Sequence, residues 1–286
     1  MIAKKRKYIL WIIALVGITI MLILAFNNRL TVRTYEIGSD KIAEGSSIRI
    51  VLLSDLHSTL FGNDQQPLIS RIDSQSPDII LLAGDIMVDA VPNEATRLFL
   101  EGIRDIAPIF YVTGNHEYWG TNSDNIEIIR SIIQSYGIRI LSDEFEQIYI
   151  NGNKLIIAGI EDPAKINAVP DYNQAESMQE AFENLSSFES YFKMLLAHRP
   201  ENIGLYAQFP FDLVAAGHTH GGQVRIPLIL NGLVAPDQGW LPSFAGGVYT
   251  YDELTLVVSR GLATNHPRVP RIFNPPEITV IVLSYP

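Results

Sequence analysis

The sequence predicts an α/β fold, a layered sandwich preceded by one N-terminal transmembrane helix. Three observations carry that expectation. Six apolar runs of strand length each stop abruptly at a polar residue, stretches of helical length lie between several of them, and residues 8–26 form an unbroken apolar segment near the N-terminus.

Residues 8–26 read YILWIIALVGITIMLILAF, 19 residues without a charge. As a helix they span roughly 28 Å, close to the hydrocarbon thickness of a bilayer. Lys4, Lys5, Arg6 and Lys7 precede the segment directly. That excess of positive charge predicts residues 1–7 as a cytoplasmic tail, residues 8–26 as a single-pass anchor in the cell membrane, and the main domain outside the cytoplasm. Arg29 and Arg33 follow the segment and weaken the bias without reversing it. A cleaved signal sequence is the competing reading. Its apolar region is usually shorter and ends in a small-x-small cleavage site, which residues 24–28 (LAFNN) do not supply.

Residues 27–45 read as a linker with one possible strand over 30–37, and residues 46–286 as one domain. About 250 residues beyond the anchor suffice for one large α/β core and hardly for two. Strands are expected at 48–54, 79–83, 109–113, 155–160, 192–197 and 213–216, short Ile/Val/Leu-rich runs typical of strands buried on both faces. Helices are expected at 67–76, 93–104, 122–136 and 174–185. Their alternation with the strands implies a largely parallel sheet with helical crossovers. Further strands expected at 223–226, 253–259 and 278–283 make the last third richer in strands and suggest a second sheet packed on the first.

Composition closes off several chemistries. The chain has 286 residues, 47% of them hydrophobic and 18% charged, and no cysteine. Disulfides, thiolate nucleophiles and cysteine-ligated metals are therefore excluded. Setting the four N-terminal basic residues aside leaves 17 Lys and Arg against 31 Asp and Glu. A body this acidic is a poor non-specific partner for nucleic acid, whose phosphates need clustered Lys and Arg.

Ligands of open α/β sheets bind beyond the carboxyl ends of the strands. Here those ends carry Asp55, His57, Asp85, Asn115, His116, His198, His218 and His220, including five of the six histidines of the chain. Singly, each has a plainer explanation. An Asp after a strand often caps a turn, and the two imidazoles of a His-x-His point the same way in any extended segment. Jointly they offer only oxygen and imidazole nitrogen donors. Such donors suit manganese, iron or zinc, and the set is too large for one four-coordinate ion.

Ser54-Asp55-Leu56-His57, Gly84-Asp85, Gly114-Asn115-His116-Glu117, His198 and Gly217-His218-Thr219-His220 stand in the order of the five blocks of calcineurin-like metallophosphoesterases. The sequence resembles that family over residues 46–283. Residues 217–223 (GHTHGGQ) and 275–278 (PPEI) look like its bacterial membrane-associated branch, the YkuE or YaeI type. The resemblance implies an αββα sandwich of two mixed sheets holding two divalent metal ions. One ion would be held by Asp55, His57, Asp85 and His220, the other by Asp85, Asn115, His198 and His218, with Asp85 bridging. Two ions roughly 3.5–4 Å apart share a water, lower its pKa so that a hydroxide attacks near neutral pH, and clamp the phosphate oxygens during in-line displacement.

His116 resembles the histidine of the family that is not a ligand and acts near the leaving oxygen, where an imidazolium donates a proton or stabilises charge. Its plainer role is packing behind the ligands. Some members orient it with an Asp three residues after the bridging Asp. Here that position is Val88 and the Asp comes one later, at Asp89, so Asp55, Glu117 or a backbone carbonyl is left as its partner. Arg268 and Arg271 are candidates to bind a second phosphate or an acidic head group, with a solvated basic loop as the alternative. His266 reads as a surface residue. Trp240, Leu241, Phe244 and Tyr249 could wall a lipid or aromatic leaving group, or simply pack their loop.

The expected activity is that of a phosphodiesterase or phosphatase acting on a membrane or cell-wall phosphate ester outside the cytoplasm. A pyrophosphatase of the UDP-2,3-diacylglucosamine type is the alternative within the family, and it requires a domain facing the cytoplasm. A non-enzymatic binding module on the same fold is disfavoured because all seven ligand positions are filled.

Overall fold

The computed structural model describes residues 2–87, 94–119, 123–264 and 269–286. It opens with helix α1 (Ile2–Ala25). Its large apolar side chains stand exposed from Tyr8 through Leu24 while Ala25, at its end, is buried. Among the described residues it is the one helix long and apolar enough to cross a membrane.

After α1 the chain runs β1 (Thr31–Gly38), β2 (Ser47–Leu53), α2 (Gln66–Asp73), β3 (Ile79–Ala83), α3 (Glu94–Ile103), β4 (Ile109–Val112), α4 (Ser123–Ser135) and β5 (Arg139–Ile140). It continues through β6 (Glu144–Ile150), β7 (Asn153–Gly159), α5 (Gln174–Phe182), β8 (Phe192–Leu196), the single turn α6 (Ile203–Tyr206) and β9 (Leu213–Ala216). The last segment holds the short pair β10 (Val234–Ala235) and β11 (Gly239–Trp240), then β12 (Gly247–Tyr251), β13 (Leu254–Val258) and β14 (Glu277–Ser284).

These strands form two six-stranded mixed sheets, β1-β14-β2-β3-β4-β5 and β12-β13-β9-β8-β7-β6. Period-two alternation sorts their side chains into layers. Ile50 and Leu52 of β2 join Ile79, Leu81, Phe192, Met194 and Leu213 between the sheets. Val51, Leu53, Ile80 and Leu82 face the other way, onto Leu68, Ile72, Phe99 and Ile129 from the helices. Across the second sheet, Leu195 and Val214 pack on Met178 and Phe182 of α5. The result is helix, sheet, sheet, helix. The helices fit because their apolar residues recur every three or four positions, as at Ala95, Phe99, Leu100 and Ile103 of α3. Asn173 starts α5 by accepting the N–H groups of Ala175 and Glu176.

Three expectations need correction. The second sheet does not belong to the last third: it begins at β6, and β14 returns to the first sheet, antiparallel to β2. β6 escaped notice because its sequence, EFEQIYI, alternates in burial rather than running apolar. The span 27–45 does hold the strand expected over 30–37, but that strand is part of the domain rather than of a linker: β1 pairs in parallel with β14 over eight residues, Thr31↔Glu277 through Gly38↔Ser284. Residues 223–226 form no strand: Val224 makes one bridge to Ile272, and Ile226 closes a tight turn on Leu230.

Candidate metal centre

The carboxyl ends of β2, β3, β4, β8 and β9 converge, and the segment after each turns sharply. Asp55 (φ 51), His57 (φ 44), Asp85 (φ 53), His218 (φ 69) and His220 (φ 49) all sit in the left-handed region, which disfavours residues with a Cβ. Such strain concentrates where side chains must be aimed and the surrounding structure holds them. Gly84 and Gly114 let the crossing loops touch. A Cβ on Gly84 would lie 2.5 Å from Gly114 N and 2.7 Å from His198 Nδ1, and one on Gly114 would land on the Asp85 carboxylate.

The structure brings Asp55, His57, Asp85, Asn115, His198, His218 and His220 into one pocket. Four sets of donor atoms each lie within 4.8 Å of one another among the described residues: Asp55 with His57 and His220, Asp85 with His198 and His218, His57 with Asp85 and His116, and Glu201 with His218 and Asp237; the first two take in six of the seven expected ligands. His57 Nε2 faces His220 Nε2 at 3.3 Å, and His198 Nε2 faces His218 Nδ1 at 3.1 Å and Asn115 Oδ1 at 3.2 Å. Asp85 lies between the groups, its Oδ2 3.6 Å from His57 Nε2 and 3.3 Å from His198 Nε2. Its Oδ1 accepts the backbone N–H of His116. Asp55 accepts the backbone N–H of His218 at 3.0 Å and stands 3.8 Å from His220 Nε2.

This donor set fits divalent cations. Two nitrogens about 2.1 Å from one tetrahedral ion stand roughly 3.4 Å apart, close to the separations of the facing imidazoles. Ring orientation agrees. His198 Nδ1 donates to the Ala83 carbonyl at 2.7 Å, and His218 Nε2 donates to Asp237 at 2.8 Å. Each bond leaves the lone pair on the nitrogen that faces into the pocket. Burial pulls the His57 imidazolium down, and pulls that of His220 well down with help from His57 and Arg271. Both rings thus favour the neutral, ligating form. Burial also opposes charge on His198 and Asp85. Their pairing prevails, pushing His198 up to about 10 and holding Asp85 well below the usual carboxylate range, so His198 sheds the proton on Nε2 when a cation takes its place beside Asp85.

His116 lies beside this pocket, its ring edge-on to His57 at 4.5 Å between centroids and 4.5 Å from the Trp119 ring. Of the partners considered for it, Glu117 gives its carboxylate to four backbone N–H groups, those of Asp85, Ile86, Met87 and Gly114. Burial and the charge of Asp85 push that carboxyl up to about 7. Val88 and Asp89 lie outside the described residues, as do His266 and Arg268. Arg271 corrects the solvated-loop reading. It is 4% exposed, and its guanidinium donates to the carbonyls of Ala263, Arg260 and Asn274. Phe244 and Tyr249 meet edge to face, 5.2 Å between ring centroids, and pack against the cluster that holds Met178 and Phe182, whereas Trp240 and Leu241 are exposed.

Sequence reasoning missed the shell around these residues. Arg199 holds Asp162 through Nε at 2.7 Å and a second nitrogen at 3.1 Å, and also pairs with Asp237. Asp237 accepts from His218, and that bond first, then Arg199, lowers its carboxyl to about 2. Asn274 donates to the carbonyls of His220 and Gln223, pinning the His-x-His loop. Adjacency to His198 was the one signal for Arg199. Asp237 and Asn274 are remote along the chain from the residues they hold.

Comparisons with known proteins show the family. The model of the calcineurin-like phosphoesterase family matches residues 48–222. A metallophosphoesterase of Campylobacter jejuni is 30% identical over 284 residues, covering 95% of this chain and 69% of its own. The phosphodiesterase YaeI of Escherichia coli is 26% identical, with 82% of each chain covered. Among solved structures, the NAD nucleotidase of Haemophilus influenzae matches with a TM-score of 0.52 at 15% identity, covering 77% of this chain and 46% of that one, a likeness of fold alone. The family implies divalent metal ions and phosphoester hydrolysis, and the buried histidines and aspartates described above are what such a site requires: the chain belongs to the calcineurin-like metallophosphoesterases.

Proposed function

We propose that this protein hydrolyses a phosphate ester at a dinuclear centre, from a position anchored in the cell membrane by residues 8–26. One ion would be held by Asp55, His57, Asp85 and His220, and the other by Asp85, Asn115, His198 and His218. The observation that carries the reading is the position of Asp85, whose carboxylate stands within 3.6 Å of an imidazole from each group. When bound there, two divalent ions (manganese, iron or zinc) would supply Lewis acidity, acidifying water and drawing charge off the phosphoryl oxygens.

The chain does the rest. The Ala83 carbonyl and Asp237 fix the ring faces of His198 and His218 before substrate arrives, so little reorganisation is needed. His116, edge-on to His57 and backed by Trp119, gives a proton to the leaving oxygen. The name of the E. coli relative favours a diester. The basic residues ahead of the apolar helix favour a catalytic domain outside the cytoplasm.

Asp85→Asn tests the bridge. Metal analysis is expected to fall from about two ions per chain to one or fewer, and hydrolysis of bis-p-nitrophenyl phosphate by the manganese-loaded protein to be lost. Normal metal content and turnover in that variant would falsify the reading.

A further inference from the structure

The topology sets the metal pocket and the end of the apolar helix on the same side of the molecule. β1 begins at Thr31, soon after α1 ends at Ala25. β1 runs parallel to β14, with Thr31 beside Glu277, and β14 runs antiparallel to β2, with Thr279 beside Leu52. The start of β1 therefore lies level with the carboxyl end of β2, where Asp55 sits. Two strand spacings, roughly 10 Å, separate Thr31 from Ser54. The last turn of α1 is fastened at this same end, since Phe273 donates its N–H to the Ala25 carbonyl at 2.7 Å.

From that point hydrogen bonds lead to an apolar projection. Ile272 accepts from Arg225 at 2.9 Å and donates to Gln223 at 3.1 Å. The chain that has just left His220 then turns back on itself, with Ile226 and Leu230 exchanging N–H···O=C bonds of 3.0 and 2.8 Å. Leu228 at the tip is 108% exposed and Ile229 82%. Leu241 donates to Leu233 at 2.8 Å, joining the exposed Trp240 and Leu241 to the same loop. Large apolar groups gathered and left in water mark a contact surface. Tryptophan beside aliphatic side chains suits the boundary between headgroups and acyl chains. Arg29 and Arg33, exposed just past the helix, suit anionic headgroups.

We propose that the turn from Ile226 to Leu230, with Trp240 and Leu241, rests in the interfacial layer of the bilayer that α1 crosses, so that the metal pocket opens at the lipid surface and takes phosphate esters of amphiphiles held there. The proposal rests on the anchor reading above and adds to it the face that the domain turns to the membrane.

The absence of cysteine makes the test clean. Leu228→Cys, Leu15→Cys and Tyr149→Cys are made in the full chain, labelled with an environment-sensitive fluorophore, and reconstituted in phosphatidylcholine–phosphatidylglycerol vesicles carrying nitroxide lipids. Leu15 lies in α1. Tyr149 is exposed and pairs with Lys154 at the opposite end of the second sheet. The expected result is a blue-shifted label at Leu228, quenched several-fold more than at Tyr149 and best by nitroxides near the headgroup, with the label at Leu15 quenched by acyl-chain nitroxides. Quenching at Leu15 with none at Leu228 beyond that at Tyr149 overturns the proposal and leaves the anchor standing. A Leu15 label outside the lipid overturns the anchor and the proposal with it.

Discussion

His218 puts its two ring nitrogens to different uses, Nδ1 toward His198 and Nε2 toward Asp237. A metal ligand is only as well aimed as the group that holds its other nitrogen. Asp237 is half exposed and is itself held by Arg199, so its removal frees the ring without hollowing the core. Asp237→Ala is expected to weaken divalent-cation binding by about tenfold, at the low end for such partners, and Asp237→Asn, which keeps an acceptor, by less. Calorimetric titration of the metal-free protein measures this. Equal affinity in the Ala variant and the parent would remove Asp237 from the site.

The loops that follow the strands are elements in their own right, and Glu117 ties two of them together. Its carboxylate gathers N–H groups from the turn after β3 and from Gly114 after β4, which would otherwise be buried without acceptors. Glu117→Gln keeps the shape but turns an NH₂ toward donors. A loss of roughly 2–3 kcal/mol is expected, read from urea unfolding of the metal-free protein at pH 8, above the value of about 7 to which burial raises this carboxyl. An unchanged midpoint would mean the loops hold themselves. Arg271 does comparable work with carbonyls on the other side of the pocket, and this explains why a basic residue near a phosphate site is buried there.

At the scale of the whole molecule, the two sheets share one core, and the end of the chain closes the first sheet. β14 lies between β1 and β2, so the segment directly after the apolar helix is the edge of the catalytic domain. Residues 27–286 are therefore expected to stay folded without α1. Residues 39–286 lose β1 with Leu30, Val32, Tyr35 and Ile37, which pack against the core. At about 1 kcal/mol for each half-buried group, that costs roughly 4 kcal/mol and bares β14 to edge-on association. Comparing urea midpoints and sedimentation of the two fragments checks this. Equal stability would return residues 31–38 to the status of a linker.

The doubly buried strands were legible because burial on both faces writes itself as a continuous apolar run: 79–83 and 213–216 needed no adjustment. The candidate site was legible because strands of one α/β layer place their carboxyl ends together, so polar residues written at those ends meet in space. By itself the sequence determined the element types, the apolar N-terminal span and the chemical nature of the donors. Tertiary structure alone decided that β14 joins the first sheet, that Arg271 faces carbonyls, and that Asp237 stands behind His218. Those facts depend on residues distant along the chain finding each other in space, and local patterning carries no record of such partners. Hydrophobic period is a property of each segment, whereas register and buried ion pairs arise only when segments meet.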